Sequence, residues 1–97
     1  MAEAIILEFP GDPGLYHRVN EILGISPADG SGDWPEGMVS HVGASKDGNS
    51  LVVFEVWESQ AQQEAFMNTR LGAALAQANA PAPSRVEWLT VEGQMYA

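Results

Sequence analysis

The chain has 97 residues, enough for one domain, and 45% of them are hydrophobic, an ordinary share for a globular protein. Thirteen Asp and Glu stand against four Lys and Arg, for a net charge of −9, and four scattered cations build no basic face, which disfavours nucleic acid as a partner. There is no cysteine, so disulfides, thiolate metal sites and cysteine nucleophiles are excluded together.

No apolar run approaches the roughly 20 residues of a membrane span. Glu3 stands near the N-terminus where a signal peptide would carry Lys or Arg, so export is not expected and the setting reads as cytoplasmic. Ala4 to Phe9 is a short apolar run bounded by Pro10-Gly11, the pattern of a mostly buried strand. Asp12 is then placed to cap a helix with Pro13 at its first position. Leu15, Val19, Ile22 and Leu23 recur at helical spacing up to Gly24. Residues 25–37 carry two prolines, three glycines and no periodicity, which predicts a long loop. Trp34 within it suits either a lid over a pocket or an anchor that ties the loop to the core.

Met38 to Ser45 and Leu51 to Glu58 read as strands joined across Asp47-Gly48, the strongest local hairpin signal. Ser59 with Gln62 forms a capping box for a second helix, whose apolar stripe runs through Met67, Leu71, Ala74, Leu75 and Ala78. Ala80 to Pro83 ends it, Arg85 to Val91 is the last strand, and Glu92 to Ala97 is a tail. The order βαββαβ predicts an α+β, ferredoxin-like domain spanning residues 1–97. Its four-stranded antiparallel sheet carries two helices on one face. Both parities of Leu51 to Glu58 are apolar, although two helices cover only one face of a sheet. A second copy of the chain is the simplest cover for the other face, so the domain is expected to form a homodimer that closes into an α+β barrel.

Gly37 and His41, followed by F-E-V-W-E-S-Q-A at Phe54 to Ala61, carry a resemblance to the dimeric α+β barrel superfamily, and particularly to antibiotic biosynthesis monooxygenase-like proteins. The resemblance covers nearly the whole chain in length and element order. It implies a small aromatic or polyketide-type ligand and an oxygenase that works without a cofactor. Members of this group commonly carry a His about two and a half turns into the second helix, where this chain has Phe66. That departure favours the alternative of a non-catalytic ligand-binding or accessory dimer.

Glu55 sits mid-strand, on the parity expected to line the barrel interior with Trp57, away from the helices. A carboxylate there suits a general base or a hydrogen-bond partner for a phenol, and equally a structural partner for Arg70 or Arg85. His41 joins it as a catalytic candidate only in one register. A two-residue turn sets His41 opposite Phe54, whereas an odd-length turn sets it opposite Glu55. Trp57, Trp34, Phe66 and Arg70 are the candidate ligand contacts. His17 and His41, on separate elements and without an i, i+4 partner, fall short of metal-ligand spacing, so no metal site is expected.

Overall fold

A computed structural model describes residues 2–97. Four strands and two helical stretches follow the predicted order: β1 (Glu3–Pro10), α1 (Pro13–Leu23), β2 (Met38–Lys46), β3 (Ser50–Trp57), α2 (Gln60–Phe66), a π-helical turn (Met67–Leu71), α3 (Gly72–Gln77) and β4 (Arg85–Thr90). The strands form one antiparallel sheet in the order β2-β3-β1-β4, the ferredoxin-like arrangement.

Local chemistry sets the element ends. Asp12 accepts a hydrogen bond from the Leu15 amide at 3.1 Å, and Gly24 closes α1 in the left-handed region at φ 77°. Ser59 accepts from the Gln62 amide at 3.2 Å and donates to the Gln62 side-chain carbonyl, which starts α2.

The second helical stretch runs through the π turn with right-handed backbone on both sides. It therefore buries Gln63 and Phe66 before the turn and Leu71, Ala74 and Ala78 after it. The five-residue step from Phe66 to Leu71 would swing off-phase in a regular α-helix, and the wider π turn brings the two side chains back to one face. Met67, expected at the centre of the apolar stripe, is only partly buried for the same reason.

Lys46 pairs with Ser50, so the hairpin loop holds three residues, Asp47, Gly48 and Asn49, the first two at positive φ. An odd-length loop fixes the register in which His41 faces Glu55.

The expected parity of β3 is corrected by the structure. Leu51, Val53, Glu55 and Trp57 turn toward the helices. The apolar members pack in one core with Ile5, Leu7 and Phe9 from β1 and with Leu15, Val19, Phe66 and Leu71 from the helices. Phe54, with Val42 beside it on β2, points from the opposite face and stays exposed, as does Leu89 of β4. Both parities of β3 are apolar, so hydrophobicity alone did not separate the two faces.

Candidate functional site

The register of β2 on β3 brings together side chains that lie far apart in the sequence. His41 Nδ1 stands 2.8 Å from Glu55 Oε2, and Trp57 Nε1 donates to Glu55 Oε1 at 3.0 Å. From α1, the Tyr16 hydroxyl reaches His41 Nε2 at 2.7 Å. A carboxylate only accepts, so His41 carries a proton on Nδ1; in the neutral imidazole Nε2 is then the acceptor for the Tyr16 hydroxyl proton. Tyr16, His41, Glu55 and Trp57 thus form one continuous hydrogen-bonded chain across three elements. Glu55 is 4% exposed, and both of its oxygens are satisfied, as a buried carboxylate requires.

Tyr16 is held from two sides. Its ring stacks on His41 with centroids 5.8 Å apart and lies over Gly43, where even one methyl group would overlap the ring. One turn on, the buried Asn20 donates from its side chain to the Tyr16 carbonyl at 3.0 Å. Burial is the main influence raising the Tyr16 phenol above its ordinary range. The Glu55 charge adds to the rise and the Asn20 side chain offsets part of it, so the group is a neutral phenol at physiological pH.

A cavity of about 530 Å³ opens between the helix-facing side of the sheet, α1, the second helical stretch and the loop before β2. That volume falls in the range of about 300–1,000 Å³ typical of small-molecule sites. Tyr16, Asn20, Ser40, His41 and Glu55 supply its polar groups on the sheet and α1 side, among Leu, Val, Phe and Met side chains. Such a wall suits a largely apolar ligand with a few polar atoms.

The six candidate residues take distinct places. His41 and Glu55 meet on the cavity wall. Trp34 lines the cavity from the loop, and its ring N–H donates to the Met38 carbonyl at 2.7 Å, so it is wall and anchor at once. Phe66 also lines the cavity. Trp57 is fully buried behind that wall, packed against Phe66 with centroids 5.7 Å apart, and meets the site through its hydrogen bond to Glu55. Arg70 lies outside the wall; its guanidinium covers the outer face of Phe66 and donates to the carbonyls of Leu23 and Asp33, tying the loop to the helix.

Tyr16 and Asn20 escaped the sequence reading. Tyr16 follows Leu15 in an ordinary amphipathic pattern, and its partner lies 25 residues away. The one available signal is Gly43 in mid-strand, since a glycine inside a strand often marks a place where another group approaches closely. Among the described residues, no group of three or more His, Cys, Asp or Glu side chains is arranged to hold a metal ion. No helix among them is long and apolar enough to cross a membrane.

Neither a protein-family model nor a curated protein matches the sequence. Solved structures do match in fold. A candidate antibiotic biosynthesis monooxygenase from Chloroflexus aurantiacus superposes with a TM-score of 0.69 at 20% identity, over 99% of this chain and 98% of that one. The ActVA-Orf6 monooxygenase of Streptomyces coelicolor, in complex with the ligand Nanaomycin D, gives 0.61 at 19% identity, over 99% and 92%. SnoaB, a cofactor-independent oxygenase from Streptomyces nogalater, gives 0.56 at 16% identity, over 98% and 95%. The chain has the fold of the antibiotic biosynthesis monooxygenase-like proteins.

Proposed function

We propose that the protein is a cofactor-independent monooxygenase-like enzyme that binds a flat hydroxyaromatic or polyketide-type substrate in the 530 Å³ cavity. The observation that carries this reading is the His41–Glu55 pair, its carboxylate buried, on the wall of an otherwise largely apolar cavity. An imidazole backed by a carboxylate is a base that can take a proton and hold the resulting positive charge. The fold neighbours named as a monooxygenase and as a cofactor-independent oxygenase support the same chemistry.

The reaction needs only oxygen as co-reactant. Removing one proton from an anthrone turns it into an electron-rich anion, whose ring carbon gives up electrons to O₂ and bonds to it as a peroxide. Cleavage of the O–O bond leaves one oxygen on that carbon as a carbonyl, and the other departs as water. A CH₂ group becomes C=O, all four electrons come from the substrate, and no external reductant enters. His41 takes the proton in this scheme, Glu55 stabilises the imidazolium, and Trp34 and Phe66 flank the ring system. The working form is a homodimer, with the exposed sheet face of Val42, Phe54 and Leu89 covered by a second copy.

Oxygen uptake with dithranol, a dihydroxyanthrone, tests this reading. The expected result is turnover by the native chain and a fall of roughly 100-fold or more in Glu55→Gln. A second reading, a non-catalytic ligand carrier, is favoured by the apolar Phe66 in the cavity wall. It predicts dithranol binding with no oxygen uptake above the uncatalysed rate.

A further inference from the structure

Resting on the reading just given, we propose that Tyr16, and not His41, is the catalytic residue that touches the substrate, taking its hydroxyl proton while passing its own to His41. Every proton-handling atom deeper in the chain already has a partner. His41 Nδ1 is engaged by Glu55 and Nε2 by Tyr16, so neither ring nitrogen is free to meet a ligand. Both Glu55 oxygens are taken as well, by His41 and Trp57. The Tyr16 hydroxyl donates to His41, which leaves its oxygen lone pairs able to accept from a ligand in the cavity that Tyr16 lines.

The step is a paired transfer. The O–H bond of the substrate's enol (anthrol) tautomer breaks as a new O–H bond forms on Tyr16. The original Tyr16 O–H bond breaks as a bond forms to His41 Nε2. The electron pair stays on the substrate oxygen, and the products are a substrate anion and an imidazolium beside the Glu55 carboxylate. Tyr16 ends the step as the neutral phenol it began as.

A second hollow, about 470 Å³, is also lined by Tyr16 and His41. Its remaining wall includes His17, Ser45 and the β2 residues Gly43 and Ala44. The Tyr16–His41 pair therefore borders both the apolar cavity and a more open hollow. Gly43 is a positioning residue here, because only an absent side chain lets the Tyr16 ring sit against β2 within reach of His41.

Danthron, the dihydroxyanthraquinone product of dithranol oxidation, carries the phenol but no oxidisable carbon, and its absorption shifts from yellow to red on ionisation. At near-neutral pH the free dye is neutral, and the native chain is expected to bind it in the red, ionised form. Tyr16→Phe keeps the ring and should bind the dye with comparable affinity in its yellow form, with dithranol oxidation lowered roughly 100-fold. Gly43→Ala, which retains the phenol but displaces the ring, should behave the same way. A Tyr16→Phe variant that still reddens the dye overturns the inference, as does a native chain that leaves it yellow or fails to bind it. If the native chain ionises danthron, Tyr16→Phe does not, and neither consumes oxygen with dithranol, the relay stands and the oxygenase reading falls.

Discussion

His41 and Glu55 are direct cross-strand partners, and their side chains meet at 2.8 Å because the turn between their strands holds three residues rather than two. A single residue of turn length thus decides whether the imidazole faces the cavity and its carboxylate or the bare side of the sheet.

Removing one partner of this pair, whose carboxylate is buried, should cost far more than removing both. His41→Leu leaves the Glu55 carboxylate buried with only the Trp57 N–H, and the expected loss is about 3–5 kcal/mol in urea unfolding. The double variant His41→Leu/Glu55→Leu should recover most of that loss. A double-variant loss equal to the sum of the two single losses would show that the pair is not coupled.

Trp57 supports Glu55 from behind the cavity wall, and Trp57→Phe removes that N–H donor while keeping an aromatic ring in place. An unsatisfied buried acceptor should lower stability by about 1–3 kcal/mol, with a further contribution from the smaller ring. Unfolding midpoints at constant m-value measure it. Danthron affinity should change less than stability does, since Trp57 does not line the cavity.

The Tyr16 phenol is raised in the folded chain, first by burial, above the ordinary value of 10.0 that it regains on unfolding. Its contribution to stability is therefore complete below pH 10 and declines as pH rises from there through the folded value. Denaturation midpoints above pH 10 should fall more steeply in the native chain than in Tyr16→Phe, which lacks the titrating group. Equal slopes would contradict the burial assigned to Tyr16.

The exposed Phe54 and Val42 are cross-strand neighbours at the centre of the uncovered sheet face. Phe54→Asp is expected to convert a dimer to a monomer in light scattering after size exclusion, because a carboxylate cannot be buried unpaired between two sheets. An unchanged mass would place any partner copy elsewhere.

Arg70 ties the loop before β2 to the end of α1 through the carbonyls of Asp33 and Leu23. Arg70→Met keeps an apolar stem against Phe66 but loses both bonds, so loop amides should exchange faster while the core strands keep their protection. Danthron should dissociate faster, since the loop forms one wall of its cavity. Native-state hydrogen exchange and stopped-flow absorbance read the two effects.

Much of this architecture was legible in the residues, because each local signal had its own physical cause. Asp12 and Ser59 as caps, Gly24 as a stop and Asp47-Gly48 as a hairpin all act within a few residues of where they stand. The pairing of His41 with Glu55 was legible as one of two registers, and the choice turned on whether Asn49 belongs to the loop. The facing of β3 was not legible, since Val52, Phe54 and Val56 look as apolar as Leu51, Val53 and Trp57. Its only buried charge, Glu55, is stabilised by partners that the strand pattern does not reveal. Trp57 and Arg70 looked like ligand contacts by residue type, whereas distance makes one a support and the other a tie. Tyr16 was invisible because it depends on a contact between α1 and β2 that no local pattern encodes.

Positions 16 and 43 share a single volume: the ring of one occupies the place a side chain on the other would need. The two should therefore vary together among related chains. Where position 43 carries any side chain, position 16 should shrink or turn outward, and the proton chain should disappear with it. A glycine paired with a tyrosine at these two sites would then mark relatives that keep the chemistry, a two-letter signature readable without any structure.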